Sequence, residues 1–186
     1  GLNPPPESVA DLVTISHGHH DHASGEGIVK RENSVVLKDS GSFTEKGVKI
    51  EGIDSFHDKA KGSKRGENVI FSFELNGTRI CHLGDLGHDL SEEAVKKIGR
   101  VDVLLIPVGG NYTINGTEAA GLIEKIDPRV VIPMHFKVDG LTVDISGPDE
   151  FLEEIGSDYE VRELNKFEMD KLPEKKLIAK LDCLAI

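Results

Sequence analysis

The chain has 186 residues with 22 Lys+Arg against 33 Asp+Glu, a formal charge of −11, with 38% hydrophobic and 30% charged residues. That length suits a single domain spanning 1–186 with a buried core, and the acidic balance argues against non-specific binding to nucleic acid or anionic membrane. Aromatics at 5% without Trp give no stacking platform, and two cysteines give no disulfide framework.

In chain order, Gly1-Leu-Asn-Pro-Pro-Pro is an extended loop. A β-branched run over 11–16 is a buried strand and leads directly into His17-Gly-His-His-Asp-His22, followed by loop through 27. Strands are expected over 34–38 and 47–56. A polar loop over 57–68 carries Lys59, Lys61, Lys64 and Arg65. Asn76-Gly77 joins strands 68–75 and 78–83 through a type I′ turn. A helix is expected over 91–98, with Glu92 and Glu93 at its positive end. A strand buried on both faces follows over 101–108.

The second half continues with a helix over Gly116–Ile126, ended by Asp127-Pro128, and a strand over 129–134. A third helix, over 148–155, starts with Pro148 at its first position. Strands over 159–164 and 176–184 close the chain. This order predicts mixed sheet with helices outside. No apolar run approaches the ~20 residues that span a bilayer, so a cytoplasmic location is expected.

Eight histidines stand out, four of them within residues 17–22. His17 and His19 are two apart, which on extended backbone sets them on one side; His20 falls on the other alternation and is not expected to ligate. Asp21 and His22 come after the chain must turn. Such a run can feed two ions, and imidazole with carboxylate suits Zn, Fe, Mn or Co. Three more candidates stand at strand ends: His57, Asp85 within Leu83-Gly-Asp-Leu-Gly, and His135.

Together these residues resemble the metallo-β-lactamase superfamily of binuclear metal hydrolases, over about 11–137. Leu83-Gly-Asp-Leu-Gly-His88, Leu105-Ile-Pro-Val-Gly-Gly-Asn111 and Val131-Ile-Pro-Met-His135 are closer to one branch. That branch comprises Zn-dependent hydrolases of the β-lactamase fold, related to ascorbate-6-phosphate lactonase and to the phospholipase that releases N-acylethanolamines. The resemblance implies a four-layer αββα sandwich. It assigns one ion to His17, His19 and His57, the other to Asp21, His22 and His135, and makes Asp85 the bridge. It further implies two divalent cations, zinc first with Mn or Fe as alternatives, and a bridging hydroxide that attacks a small ester, lactone or phosphodiester. Asp21 has an expected second role in proton transfer to the leaving group.

His88 and Asn111 are candidates to touch substrate, with Lys137 and Arg65 on loops that can reach the pocket. His82 is expected to pack or support a ligand. Family members place two or three strands before the one at 11–16. The chain is therefore expected to be N-terminally short, with those strands lost or supplied by a partner or a second copy. The rival function is an incomplete metal-binding fragment with an assembly role. A redox iron protein would need a flavin domain and more carboxylate ligands.

Overall fold

The computed structural model describes residues 9–182, which form ten strands and five α-helices. The first strand, β1 (Ala10–Thr14), pairs in parallel with β2 (Lys30–Leu37), through Leu12 opposite Val35 and Thr14 opposite Leu37. Parallel neighbours need a crossover of a dozen or more residues, and the histidine run lies in that crossover. Two one-turn helices, α1 (His20–Ala23) and α2 (Glu26–Val29), fill the crossover where loop was expected. The strand β2 also begins four residues before the predicted 34, because its exposed first half carries no hydrophobic alternation.

The large sheet begins with a meander of β3 (Gly41–Glu45), β4 (Val48–Phe56), β5 (Glu67–Leu75) and β6 (Thr78–His82). Sequence reading missed β3, an edge strand whose Phe43 alone packs inward, and placed Gly47 in a strand. Lys46 and Gly47 instead form the β3–β4 turn, at φ 53° and 80°. Asn76 and Gly77, at φ 50° and 78°, make the expected β5–β6 turn.

From β6 the chain alternates through α3 (Glu92–Ile98), β7 (Val103–Pro107), α4 (Gly116–Ile126), β8 (Val130–Met134) and α5 (Asp149–Glu154). It closes with a 3-10 turn (Gly156–Asp158), β9 (Glu160–Leu164) and β10 (Leu177–Leu181). Ser91 caps α3 and Asn115 with Glu118 makes a capping box on α4. Left-handed Asp127 stops α4, and Pro148 is the N-cap of α5 rather than its first helical residue. The sheet order is β3-β4-β5-β6-β7-β8-β10-β9, antiparallel to β6 and parallel after it. The Pro-rich start, in 1–8, and the end of the last expected strand, in 183–186, lie outside the described residues.

Strand alternation sorts side chains to two faces. Ile70, Leu104, Ile106 and Val131 pack beneath the helices with Ile98, Leu122 and Phe151. Val69 and Phe71 meet Leu12, Val35 and Leu37 of the small sheet. The layers thus run helices, large sheet, small sheet. Since β4, β6 and β8 share one direction, their C-terminal ends reach the same edge. The end of β1 joins that edge where Val69 N–H donates to Ser16 O at 2.7 Å.

Candidate metal centre

Four imidazoles converge on one carboxylate oxygen. Asp85 Oδ2 lies 3.7 Å from His17 Nε2, 3.4 Å from His22 Nε2, 3.2 Å from His57 Nε2 and 3.3 Å from His135 Nε2. His17 and Asp85 are buried at 8% and 4% exposure, while His19 and His22 are exposed at the mouth of the cluster.

Local folding explains each position. Ser16 Oγ sits 2.9 Å from His17 Nδ1 and turns the other nitrogen towards Asp85. His19 O accepts the N–H groups of His22 and Ala23, starting α1 and swinging His22 back over the site. His57 directly follows β4, with its N–H bonded to Gly66 O at 3.1 Å, and its Nδ1–H donates to Tyr112 O at 3.0 Å. That bond assigns the Nε2 lone pair to the cluster. His135 follows β8 in the left-handed region, at φ 52°, where histidine is among the non-glycine residues found more often than most.

Asp85 is held from behind. Its N–H donates to Asn68 Oδ1 at 2.9 Å, and Asn68 Nδ2 donates to Ser55 Oγ and Leu83 O at 2.7 and 2.9 Å. His82 Nδ1 accepts the Gly84 N–H at 3.0 Å, so His82 braces this turn and does not join the cluster. Space is also tight at Gly87, where a Cβ would stand 2.3 Å from the backbone carbon of His57.

Burial pushes the Asp85 carboxyl pKa up, but hydrogen bonds from His135 and His57 and the charge of His22 outweigh it and hold the pKa well down. Burial lowers His17 to about 4, so it is neutral. Burial also opposes charge on His57, yet the hydrogen bond and charge of Asp85 raise its pKa overall.

The donor set fits a metal. His17 Nε2 is buried without a hydrogen-bond partner. Donor atoms of His17, His19 and His57 lie within 4.8 Å of one another, as do those of His17, His22 and Asp85. Neutral imidazoles around an ionised carboxylate are the ligands Zn, Fe or Mn take. The structure therefore brings together His17, His19, His22, His57, Asp85 and His135. Asp21 is the second residue of α1, and its side chain lies outside the described residues.

The remaining candidates lie elsewhere. His88, expected at substrate, accepts the Phe56 N–H at Nε2 (3.1 Å) and bonds Asp89 O through Nδ1 (2.7 Å). With both nitrogens on backbone it braces the end of β4. Asn111 lines a cleft of about 520 Å³ beside the cluster, though its Nδ2 donates to Asp144 O at 2.7 Å. Lys137 Nζ donates to Val143 O, and His20 is exposed on α1. Sequence reading missed Asn68, Ser16 and Tyr112. The one available signal was Asn68, an amide opening an apolar strand run.

Comparison with known proteins gives a consistent picture. Residues 2–135 match the family described as the β-lactamase superfamily domain. A metal-dependent hydrolase from Thermococcus onnurineus is 30% identical over 181 residues, covering 84% of this chain and 80% of that relative. One from Thermoplasma acidophilum is 28% identical, covering 71% and 68%. A crystal structure from Thermotoga maritima, assigned as a Zn-dependent hydrolase of the metallo-β-lactamase superfamily, superposes with a TM-score of 0.79. It is 38% identical, covering 97% of this chain and 87% of that one. A second structure, from Parabacteroides distasonis, shares the fold at a TM-score of 0.65 and 17% identity, covering 81% and 74%.

Proposed function

Because this chain belongs to the β-lactamase superfamily, matched over residues 2–135, we propose that it is a metal-dependent hydrolase with a binuclear centre. The observation that carries this reading is the convergence of His17, His22, His57 and His135 on Asp85 Oδ2. His17, His19 and His57 would hold one cation, with Asp21, His22 and His135 for the other and Asp85 between them. Zinc is the first choice, with Mn or Fe as alternatives.

Divalent cations supply Lewis acidity to a carbonyl or phosphoryl oxygen and acidify water towards a pKa of ~7 at such sites. The chain's own residues do the rest. Asp85 contributes the negative charge that lets several imidazoles face two cations. Tyr112 O and Ser16 Oγ orient the rings of His57 and His17. Asp21 would serve as a ligand to the second cation and would pass a proton to the leaving group. The substrate is a small ester, lactone or phosphodiester.

The test is a panel of aryl ester, lactone and phosphodiester, assayed before and after chelation and with zinc restored. Hydrolysis of one class, lost on chelation and regained with metal, is expected. Turnover that survives chelation would overturn the reading. Asp21→Asn should lower the maximal rate more than it lowers metal content; equal loss would leave Asp21 a ligand only.

A further inference from the structure

Asp58 follows His57 and is buried, yet four backbone N–H groups converge on its carboxylate. Oδ1 accepts from Ala60 and Gly62 at 2.7 and 3.1 Å, and Oδ2 from Lys64 and Arg65 at 3.0 and 2.7 Å. Burial pushes this carboxyl's pKa up, but those bonds outweigh it and keep it below its usual value. The result is a closed loop over 58–66, tied by Gly66 N–H to Gly62 O and by His57 N–H to Gly66 O. A loop so pinned holds its side chains with little left to order on binding.

Those side chains include Lys59, Lys64 and Arg65, along the cleft of about 520 Å³. Two carboxylates face the same space. Asp58 is saturated by its N–H bonds, and Glu118 takes Lys59 Nζ and the Asn115 N–H. The three basic side chains outnumber the two carboxylates, and with Lys59 held by Glu118 it is Lys64 and Arg65 that stay available, in a chain whose net charge is −11. Arg65 also lines a second cleft, of about 370 Å³, that includes His17, His19, Glu67 and Lys38; Lys38 is paired with Glu26. The Arg65 guanidinium lies 4.9 Å above the Tyr112 ring. Tyr112 is also the residue whose carbonyl orients His57.

From this arrangement we infer that Arg65, with Lys64, forms a subsite for an oxyanionic group at one end of the substrate, whose scissile bond lies at the histidine cluster. The inference rests on the hydrolase reading for the reaction, but the subsite can be tested apart from it. A planar guanidinium fixed over an aromatic ring binds a carboxylate or phosphate through paired hydrogen bonds. Substrates carrying such a group are therefore favoured over neutral ones of the same length.

The test compares para-nitrophenyl hexanoate with mono-para-nitrophenyl adipate, of equal length but ending in a methyl or a carboxylate, on the metal-loaded chain. The adipate ester should be preferred in kcat/KM by about tenfold. Arg65→Ala should abolish that preference, and Arg65→Lys should keep part of it. No preference in the wild type, or the same ratio in Arg65→Ala, would overturn the subsite. Amide NMR titration of the same protein with inorganic phosphate and with adipate decides independently of turnover. Saturable shifts at Arg65, Gly66 and Tyr112, weakened in Arg65→Ala, are expected, and the anion giving them identifies the source. Shifts confined to 17–22, or none with either anion, would refute it. If neither ester is hydrolysed, the enzymatic reading fails while the titration still decides the subsite.

Discussion

His57 Nε2 stands 3.2 Å from Asp85 Oδ2 while its Nδ1–H is bonded to Tyr112 O at 3.0 Å. One ring thus links the carboxylate at the centre of the cluster to the wall of the neighbouring cleft. Asp85 is the acid, among the described residues, on whose Oδ2 four imidazoles converge. Asp85→Asn keeps the shape and removes the charge. It should lower metal content below the wild type and cut the hydrolytic rate by at least about a hundredfold. Elemental analysis and a rate on one substrate check this, and wild-type metal content in the variant would remove Asp85 from the site.

Asn68 positions Asp85 without touching substrate. Asn68→Ala leaves the Asp85 N–H and Leu83 O without their side-chain partners in a buried place. A stability loss of about 1–3 kcal/mol is expected, along with metal affinity weakened by about 10–100-fold. Urea unfolding and competition with a chelator measure the two separately. Loss of stability with unchanged metal affinity would make Asn68 a fold residue alone.

The close approach at Gly87 gives a steric test. Its N–H bonds Phe56 O at 2.9 Å, and a Cβ there would collide with the His57 backbone. Gly87→Ala should cost about 1–3 kcal/mol and displace His57, lowering metal content. Gly121 on α4 has open space around its Cβ direction, so Gly121→Ala should stabilise by about 1 kcal/mol without changing metal content. Thermal melts with metal analysis on both variants give the contrast.

Tyr159 is one group whose ionisation lowers stability in alkali. Its hydroxyl donates to Pro128 O at 2.9 Å, and burial, reinforced by Asp127, pushes its pKa up to about 12. A folded pKa above the unfolded value of ~10 means the contribution is complete below pH ~10 and lost as pH rises through 12. That amounts to about 2 kcal/mol. Tyr159→Phe should flatten the fall in urea midpoint between these values, and an unchanged slope would exclude this cause.

Much of this was legible from residue order because strong local signals agreed with the fold. Asn76-Gly77 has one compatible hairpin, and the Gly116–Ile126 helix carries its own cap, apolar stripe and Asp-Pro stop. The strand-end positions of His57, Asp85 and His135 followed from the apolar runs before them. What stayed hidden has no periodic trace. β3 exposes most of its side chains, and α1 is a single turn made by His19 O rather than by helix-forming composition. The bond from the Phe56 N–H to His88 spans 32 residues of chain, a pairing no local pattern announces. The supporting carbonyl of Tyr112 is a backbone atom, which no residue type announces.

Metal content per folded chain, by elemental analysis with light scattering for mass, tests the central claim most directly. Two ions per chain are predicted, with metal content falling when His57 or Asp85 is replaced. A well-folded wild-type chain that takes up one ion or none from excess zinc would contradict a binuclear hydrolase.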